Sequence, residues 1–188
     1  MRPTVRYLSC LAGLALAASM ACHRRSTEDV APVSGPRVSD GNIVAIVLAA
    51  NNTDLSYARL APARARSADV KAFAQRMTTD HTILNAKVND IALRNDIRAE
   101  ENEASLDFRD RSAERRDILR ELDGARFDST YAANEIQYHT ELLAAINTVL
   151  APNARNSELR EFVSLLKPAV SAHLAHAEQM RAALATRK

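Results

Sequence analysis

The chain has 188 residues, of which 47% are hydrophobic and 4% are aromatic, and its formal net charge is +2. This length and hydrophobic fraction allow one domain with a substantial core, and the shortage of aromatic residues favours helices over a sheet. The four glycines are scattered singly, which excludes a glycine-rich phosphate loop and a dinucleotide fingerprint. We therefore expect neither a nucleotide nor a nucleic acid as a partner.

Residues 1–21 have the pattern of an export signal. Arg2 and Arg6 precede an uncharged run over residues 8–21, which is too short for a permanent transmembrane helix. Without those two arginines, 23 basic residues balance 23 acidic ones, so the mature chain is close to neutral. The pattern predicts an exported protein on the periplasmic side of the cell envelope.

The motif LAASMAC, which ends at Cys22, resembles a bacterial lipoprotein signal. The resemblance implies cleavage after Ala21, a lipid on Cys22 that attaches the protein to a membrane, and sorting to the outer membrane because His23 follows. Ser19 occupies a position where the pattern prefers leucine, so ordinary secretion after cleavage is the alternative. Residues 22–38 are polar and contain proline and glycine, which predicts a flexible tether.

Apolar residues at helical spacing predict two long helices, over about residues 40–65 and 68–98. Pro62 is expected to kink or end the first helix early, and Ser67 is placed to cap the second. The apolar seam of the second helix contains His81. The very short connection predicts an antiparallel hairpin.

The segment 99–126 carries dense charge of alternating sign, which predicts an exposed connecting helix that Gly124 ends. Its thin apolar trace consists of Leu106, Ala113, Leu119 and Leu122. The segment is long enough to return along the whole bundle. A long crossover of this kind is typical of ferritin-like folds.

Two further helices are predicted over about residues 128–151 and 158–187, with Asp128 as the N-cap of the first. The second contains Pro168 and carries His173 in its apolar seam. Their short connection predicts another antiparallel hairpin. The expected fold is all-α: a ferritin-like four-helix bundle over residues 39–187, with a long crossover that carries an additional helix.

Three blocks of this sequence resemble a known family. They are ADVKAFAQRMTTDH (68–81), FDSTYAANEIQYH (127–139) and SELREFVSLLKPAVSAHLAHAEQM (157–180). The chain is similar, over about residues 39–184, to domain-of-unknown-function family 4142, which comprises ferritin-like helical proteins of bacterial envelopes. The resemblance implies a fold and a compartment but no reaction. Ser56 departs from the acidic pair that the resemblance leads us to expect on the first helix.

Polar residues interrupt the buried faces near the midpoints of the four long helices. These residues are Asp54, His81, His139 and His173, and midpoints of roughly equal helices share one layer of a bundle. Three imidazoles and a carboxylate are suitable ligands for Zn, Cu or Fe. Glu135, one turn before His139, is either a further ligand or a residue that orients an imidazole.

The alternative interpretation of this layer is a buried polar network without metal, in which Asp80 and Glu135 accept hydrogen bonds from the histidines. No histidine has a glutamate three residues before it, which argues against the ferroxidase chemistry of true ferritins. We therefore favour a non-enzymatic envelope lipoprotein with a structural, stress-related or interaction role. A metal-binding or metal-dependent redox protein is the second hypothesis, and a protein partner or a homo-oligomer is open in both.

Overall fold

The computed structural model describes residues 38–186. The predicted signal segment, Cys22 and nearly all of the tether lie outside the described residues. The long helices are α1 (Asp40–Ala58), α2 (Ala68–Arg94), α3 (Glu103–Arg120), α4 (Gly124–Ala145) and α5 (Ser157–Thr186). A short helical turn, Ala61–Arg64, lies between α1 and α2, and α4 continues through a π-helical turn, Ile146–Leu150, and a last turn, Ala151–Asn153. None of the described helices combines the length and the apolar character needed to cross a bilayer.

Local hydrogen bonds explain where the first hairpin begins and turns. The Ser39 hydroxyl accepts a hydrogen bond from the Asn42 backbone at 3.0 Å, and the Asn42 side chain accepts one from the Ser39 backbone. Ser67 caps α2 as predicted. Helix α1 ends at Ala58, seven residues before the predicted end, because the chain turns before Pro62 opens the short helical turn.

The crossover helix α3 runs along α1 in the same direction. At one end the Asn42 side chain donates a hydrogen bond to the Glu100 carbonyl oxygen at 2.8 Å, and at the other end Arg64 donates one to the Leu122 carbonyl oxygen at 3.3 Å. Since α2 and α3 each traverse the bundle, α4 starts at the same end as α2 and runs parallel to it. The predicted all-α bundle, with an additional helix in the long crossover, is confirmed.

The apolar face of α3 differs from the predicted one. Leu119 is buried as expected, but Leu106 is 41% exposed and Phe108 is buried in its place. Phe108 packs α3 against the core, and its carbonyl oxygen accepts a hydrogen bond from Thr53 of α1 at 3.4 Å. The prediction chose Leu106 because dense charge on this helix obscures its apolar period.

The core fills the space between α1, α2, α4 and α5 with large side chains. Full burial of such a side chain contributes about 1.5–3 kcal/mol to the free energy of unfolding. The largest fully buried side chains are Tyr57, Tyr131, Tyr138, Phe73, Phe127, Phe162, Ile43, Ile46, Met77, Leu119, Ile146 and Leu150. The Tyr138 hydroxyl donates a hydrogen bond to the Ala50 carbonyl oxygen at 2.7 Å, which fixes α4 against α1.

The predicted role of Asp128 as an N-cap is wrong. Helix α4 begins four residues earlier, at Gly124, whose φ of 61° suits glycine, and α3 has already ended at Arg120. Asp128 is therefore buried within α4. Its carboxylate oxygens accept hydrogen bonds from the backbone N–H groups of Arg66 at 3.1 Å and Ser67 at 2.9 Å, directly before α2.

Asp40 makes the reciprocal contact at the opposite end of the bundle. Its two carboxylate oxygens accept hydrogen bonds from the backbone N–H groups of Arg155 at 2.8 Å and Asn156 at 3.0 Å, directly before α5. The first helix of each hairpin thus supplies an aspartate to the turn of the other hairpin. We call these two contacts, by Asp40 and Asp128, the aspartate clamps.

We expect the substitution Asp128→Ala to lower the free energy of unfolding by about 3 kcal/mol, because it leaves two N–H groups near the core without a charged acceptor. Asp123→Ala is the matched control, since the Asp123 side chain is 74% exposed and pairs only with Arg64 in this part of the chain. The control is expected to change stability by less than about 0.5 kcal/mol. Urea unfolding measures both variants, and equal losses would contradict the assignment of Asp128.

Candidate metal centre

Four helices each contribute one polar side chain to a single buried layer. Asp54 of α1, His81 of α2 and His139 of α4 have no exposed surface, and His173 of α5 is 4% exposed. One ring nitrogen from each histidine lies within 4.8 Å of those of the other two. The structure therefore brings together the four residues that the helix midpoints predicted.

Asp54 lies beside two of the three histidines in this layer. Its Oδ2 atom is 2.7 Å from His81 Nε2 and 3.4 Å from His139 Nε2. Neither oxygen of Asp54 has an aligned hydrogen bond from any residue between 38 and 186. A buried carboxylate is stable only with a compensating positive charge or several donors, so either a protonated histidine or a bound cation balances Asp54.

His139 and His173 are each oriented by an acceptor on the outer side of the layer. His139 Nδ1 donates a hydrogen bond to the Glu135 carbonyl oxygen at 2.8 Å, and His173 Nε2 donates one to Asp80 Oδ2 at 2.9 Å. In a neutral imidazole the other nitrogen then keeps its lone pair. Those nitrogens, His139 Nε2 and His173 Nδ1, are buried and find no hydrogen-bond partner in the described structure.

His81 is oriented in the same way by a chain of amides. Its Nδ1 atom donates to Asn51 Oδ1 at 2.9 Å, Asn51 Nδ2 donates to Asn85 Oδ1 at 3.0 Å, and Asn85 Nδ2 donates to Asn52 Oδ1 at 2.9 Å. His81 Nε2 lies 2.7 Å from Asp54 Oδ2, a separation that requires a shared proton or a bound cation between the two atoms. The two atoms are close but lack the alignment of a hydrogen bond.

The electrostatic environment keeps the inward groups in their metal-binding forms. Burial lowers the pKa of His139 from 6.5 to about 4, although the charge of Asp54 acts against this shift. Burial also lowers the pKa of His173 in spite of Asp80. Burial acts to raise the pKa of Asp54, but His81 and the other two histidines bring it below its ordinary value. At neutral pH the two imidazoles are neutral and the carboxylate is ionised.

Glu135 occupies the same layer without being part of the histidine cluster. A ligand atom from each of Asp54, Glu135 and His139 lies within 4.8 Å of the other two. Burial, together with the charge of Asp54, raises the pKa of Glu135 well above its ordinary value and so favours the protonated acid. The Glu135 carbonyl oxygen accepts the hydrogen bond from His139 Nδ1, and Glu135 Oε2 lies 3.5 Å from the same nitrogen, so both parts of this residue lie beside His139.

Asn51, which orients His81, was not among the predicted site residues. The available signal was its position one turn before Asp54 on the buried face of α1, where it is only 3% exposed. His176 lies near the layer but outside the cluster, because its ring packs against Phe73 with 5.0 Å between ring centroids. The remaining predicted site residue, Cys22, lies outside the described residues.

The match to one protein family covers most of the chain. It extends over residues 25–180, and the family is described as a domain of unknown function (DUF4142). The chain belongs to this family. No curated protein and no solved structure matches it. The buried layer is therefore the feature of this DUF4142 protein that carries its functional interpretation.

Proposed function

We propose that this DUF4142 protein is an exported, non-enzymatic helical-bundle protein that holds one divalent transition-metal ion. The ligands are His81, His139, His173 and Asp54. The observation that carries the proposal is the buried cluster of three imidazoles, whose ring nitrogens lie within 4.8 Å of one another beside the Asp54 carboxylate, with one nitrogen of each ring held by an acceptor. Histidines that bind a metal regularly donate their other ring N–H to a carboxylate, a carbonyl oxygen or a water.

The chemistry of the donors favours Zn²⁺ or Cu²⁺ over harder ions. Imidazole nitrogen suits these metals, and a single carboxylate balances part of the positive charge. Tetrahedral ligand atoms lie roughly 3.4 Å apart at metal–nitrogen bond lengths of about 2.1 Å. The ring nitrogens, which lie within 4.8 Å of one another, reach that spacing through side-chain shifts of about 1 Å.

Four protein ligands fill a tetrahedral site, which is the arrangement of structural rather than catalytic zinc. The ligands come from four different helices, so the ion would join both hairpins. We therefore infer that the metal stabilises the bundle and is stored or sensed there. This role agrees with the non-enzymatic function favoured by the sequence.

Metal content tests the proposal directly. We expect the chelator-stripped protein, incubated with equimolar Zn²⁺ or Cu²⁺ and desalted, to retain about one ion per chain. His81→Gln should lose the ion, and His176→Gln is the matched control because His176 lies outside the cluster. Circular dichroism establishes that each variant is folded. A folded wild-type protein that retains neither metal would leave the layer as a polar network and overturn the proposal.

We also propose that the protein is anchored in the envelope through a lipid on Cys22. The support is the export pattern of residues 1–21 and the motif that ends at this cysteine. Cys22→Ala is expected to move the protein from the membrane fraction to the soluble periplasmic fraction, as measured by immunoblotting. Ser26→Ala serves as the control in the same segment, and continued membrane attachment of Cys22→Ala would contradict the anchor.

A further inference from the structure

We propose that the metal ion enters and leaves the bundle between α2 and α5, by way of Asp80 and His173. This inference rests on the proposed metal-binding function and adds a route and two residues to it. Asp80 acts here as a positioning residue for His173 and as the first group that attracts an incoming cation. Arg76, which contacts Asp80, competes with that cation.

The ligands are not equally accessible. The side chains of Asp54, His81 and His139 have no exposed surface, whereas the side chain of His173 is 5% exposed. Asp80, which holds the outer nitrogen of His173, is 33% exposed. This pair therefore links the buried layer to solvent and carries a negative charge at its outer end.

The outer partners of the three histidines differ in a way that favours the same path. His81 is held by the buried amide of Asn51, and His139 is held by the backbone of its own helix. Neither ring can turn outward without breaking a buried contact. His173 is held by a carboxylate that is 33% exposed, so we infer that its ring turns towards solvent when Asp80 exchanges the N–H group for a cation.

Arg76 is placed to regulate this exchange. Its Nε atom lies 3.4 Å from Asp80 Oδ2, one helical turn away on α2, and its side chain is 60% exposed. A positive charge at the mouth of the path repels a divalent cation and lowers its local concentration. Removing or reversing this charge should therefore accelerate metal uptake without changing the ligands.

A second connection to the surface runs through the amide chain from His81 to Asn52. Amides are neutral and attract a dication much less than a carboxylate does, so we expect this chain to fix the His81 ring rather than to carry the ion. Asn85→Ala interrupts the chain at its partly buried middle. The variant serves as a comparison for variants of the Asp80 path.

Stopped-flow uptake of Zn²⁺ by the metal-free protein, together with equilibrium titration, tests the route. At low salt we expect Arg76→Glu to accelerate uptake about threefold to tenfold, and high salt to reduce this difference. Asp80→Asn keeps an acceptor for His173 but lacks the charge, so it should slow uptake more than it weakens affinity. Asp80→Ala also loses the acceptor and should weaken affinity about 10-fold to 100-fold.

Controls separate this route from a general effect of surface charge. Arg120 and Asp117 form an exposed pair one turn apart on α3, away from the layer, so Arg120→Glu and Asp117→Asn are expected to leave uptake unchanged. Nitrogen-15 NMR of His173 should show the Nε2–H tautomer in wild type and Asp80→Asn, and its loss in Asp80→Ala. Uptake rates that are equal in wild type, Arg76→Glu and Asp80→Asn, or that change only in Asn85→Ala, would overturn the route. Failure of every protein to bind zinc would instead overturn the proposed function.

Discussion

Saturating Zn²⁺ should raise the melting temperature of the metal-free protein by about 10 °C. At a free metal concentration a thousandfold above the dissociation constant, binding to the folded state alone contributes about 4 kcal/mol. Each kcal/mol shifts the melting temperature of a domain of this size by about 2–4 °C. The gain is large because the four ligands come together only when both hairpins are packed.

The variant His173→Gln should melt at nearly the same temperature with and without zinc. His176→Gln, a matched change one turn along the same helix, should keep the full shift because His176 contacts Phe73 and not the layer. Differential scanning calorimetry of both variants, in chelator and in excess zinc, gives the four melting temperatures that this test compares. An equal zinc shift in both variants would show that the metal binds elsewhere.

His139→Gln and Glu135→Gln should change the slope of the free energy of unfolding against pH in opposite directions. The pKa of His139 falls from 6.5 to about 4 on folding, because burial disfavours the charged ring. Below pH 6.5 the unfolded chain binds a proton that the folded chain rejects, so stability falls with acidification until the folded pKa is reached. The wild-type protein therefore loses about 3 kcal/mol through this residue on going to pH 4, and His139→Gln avoids that loss.

Glu135 acts with the opposite sign. Burial and the charge of Asp54 raise its pKa well above 4.5, so above that pH the unfolded chain ionises while the folded chain keeps its proton. Stability is then lost as the pH rises, by about 1.4 kcal/mol per pH unit until the folded pKa is reached. Glu135→Gln, a neutral residue of similar shape, should gain in stability over wild type across this range.

Urea unfolding in chelator between pH 4.5 and 8 measures both slopes without metal. The relative stability of His139→Gln should rise towards acid, and that of Glu135→Gln should rise towards alkali. His176→Gln provides the reference for a histidine outside the cluster. Parallel pH profiles for both variants and wild type would contradict the burial of these groups in the folded protein.

The helices and the layer were predictable from the sequence because both depend on periodicity along single helices. His81 and His173 stand out as imidazoles in apolar seams, and helix midpoints coincide in a bundle even when the ends are misplaced by a turn. The end of α1 at Ala58 was missed by seven residues, yet Asp54 still reached the layer. A central site is therefore insensitive to the errors that affect helix boundaries.

Contacts between distant segments were not predictable in the same way. Asp128 has a side chain that is common at helix N-caps. Only the fold shows that its carboxylate instead accepts hydrogen bonds from two backbone N–H groups before α2. Asn51 was missed because an asparagine on a buried face has no distinctive period. Its function depends on the position of His81 across the interface between α1 and α2.

The aspartate clamps give the bundle a mutual dependence between its two hairpins. In each hairpin, the backbone N–H groups before the second helix donate hydrogen bonds to an aspartate of the other hairpin. Each hairpin also contributes half of the buried ligand layer. Partial separation would break contacts at both ends and in the middle at once. Dissociation of the hairpins is thus expected to be a single cooperative event, and metal release through it should be slower than release through one turning imidazole.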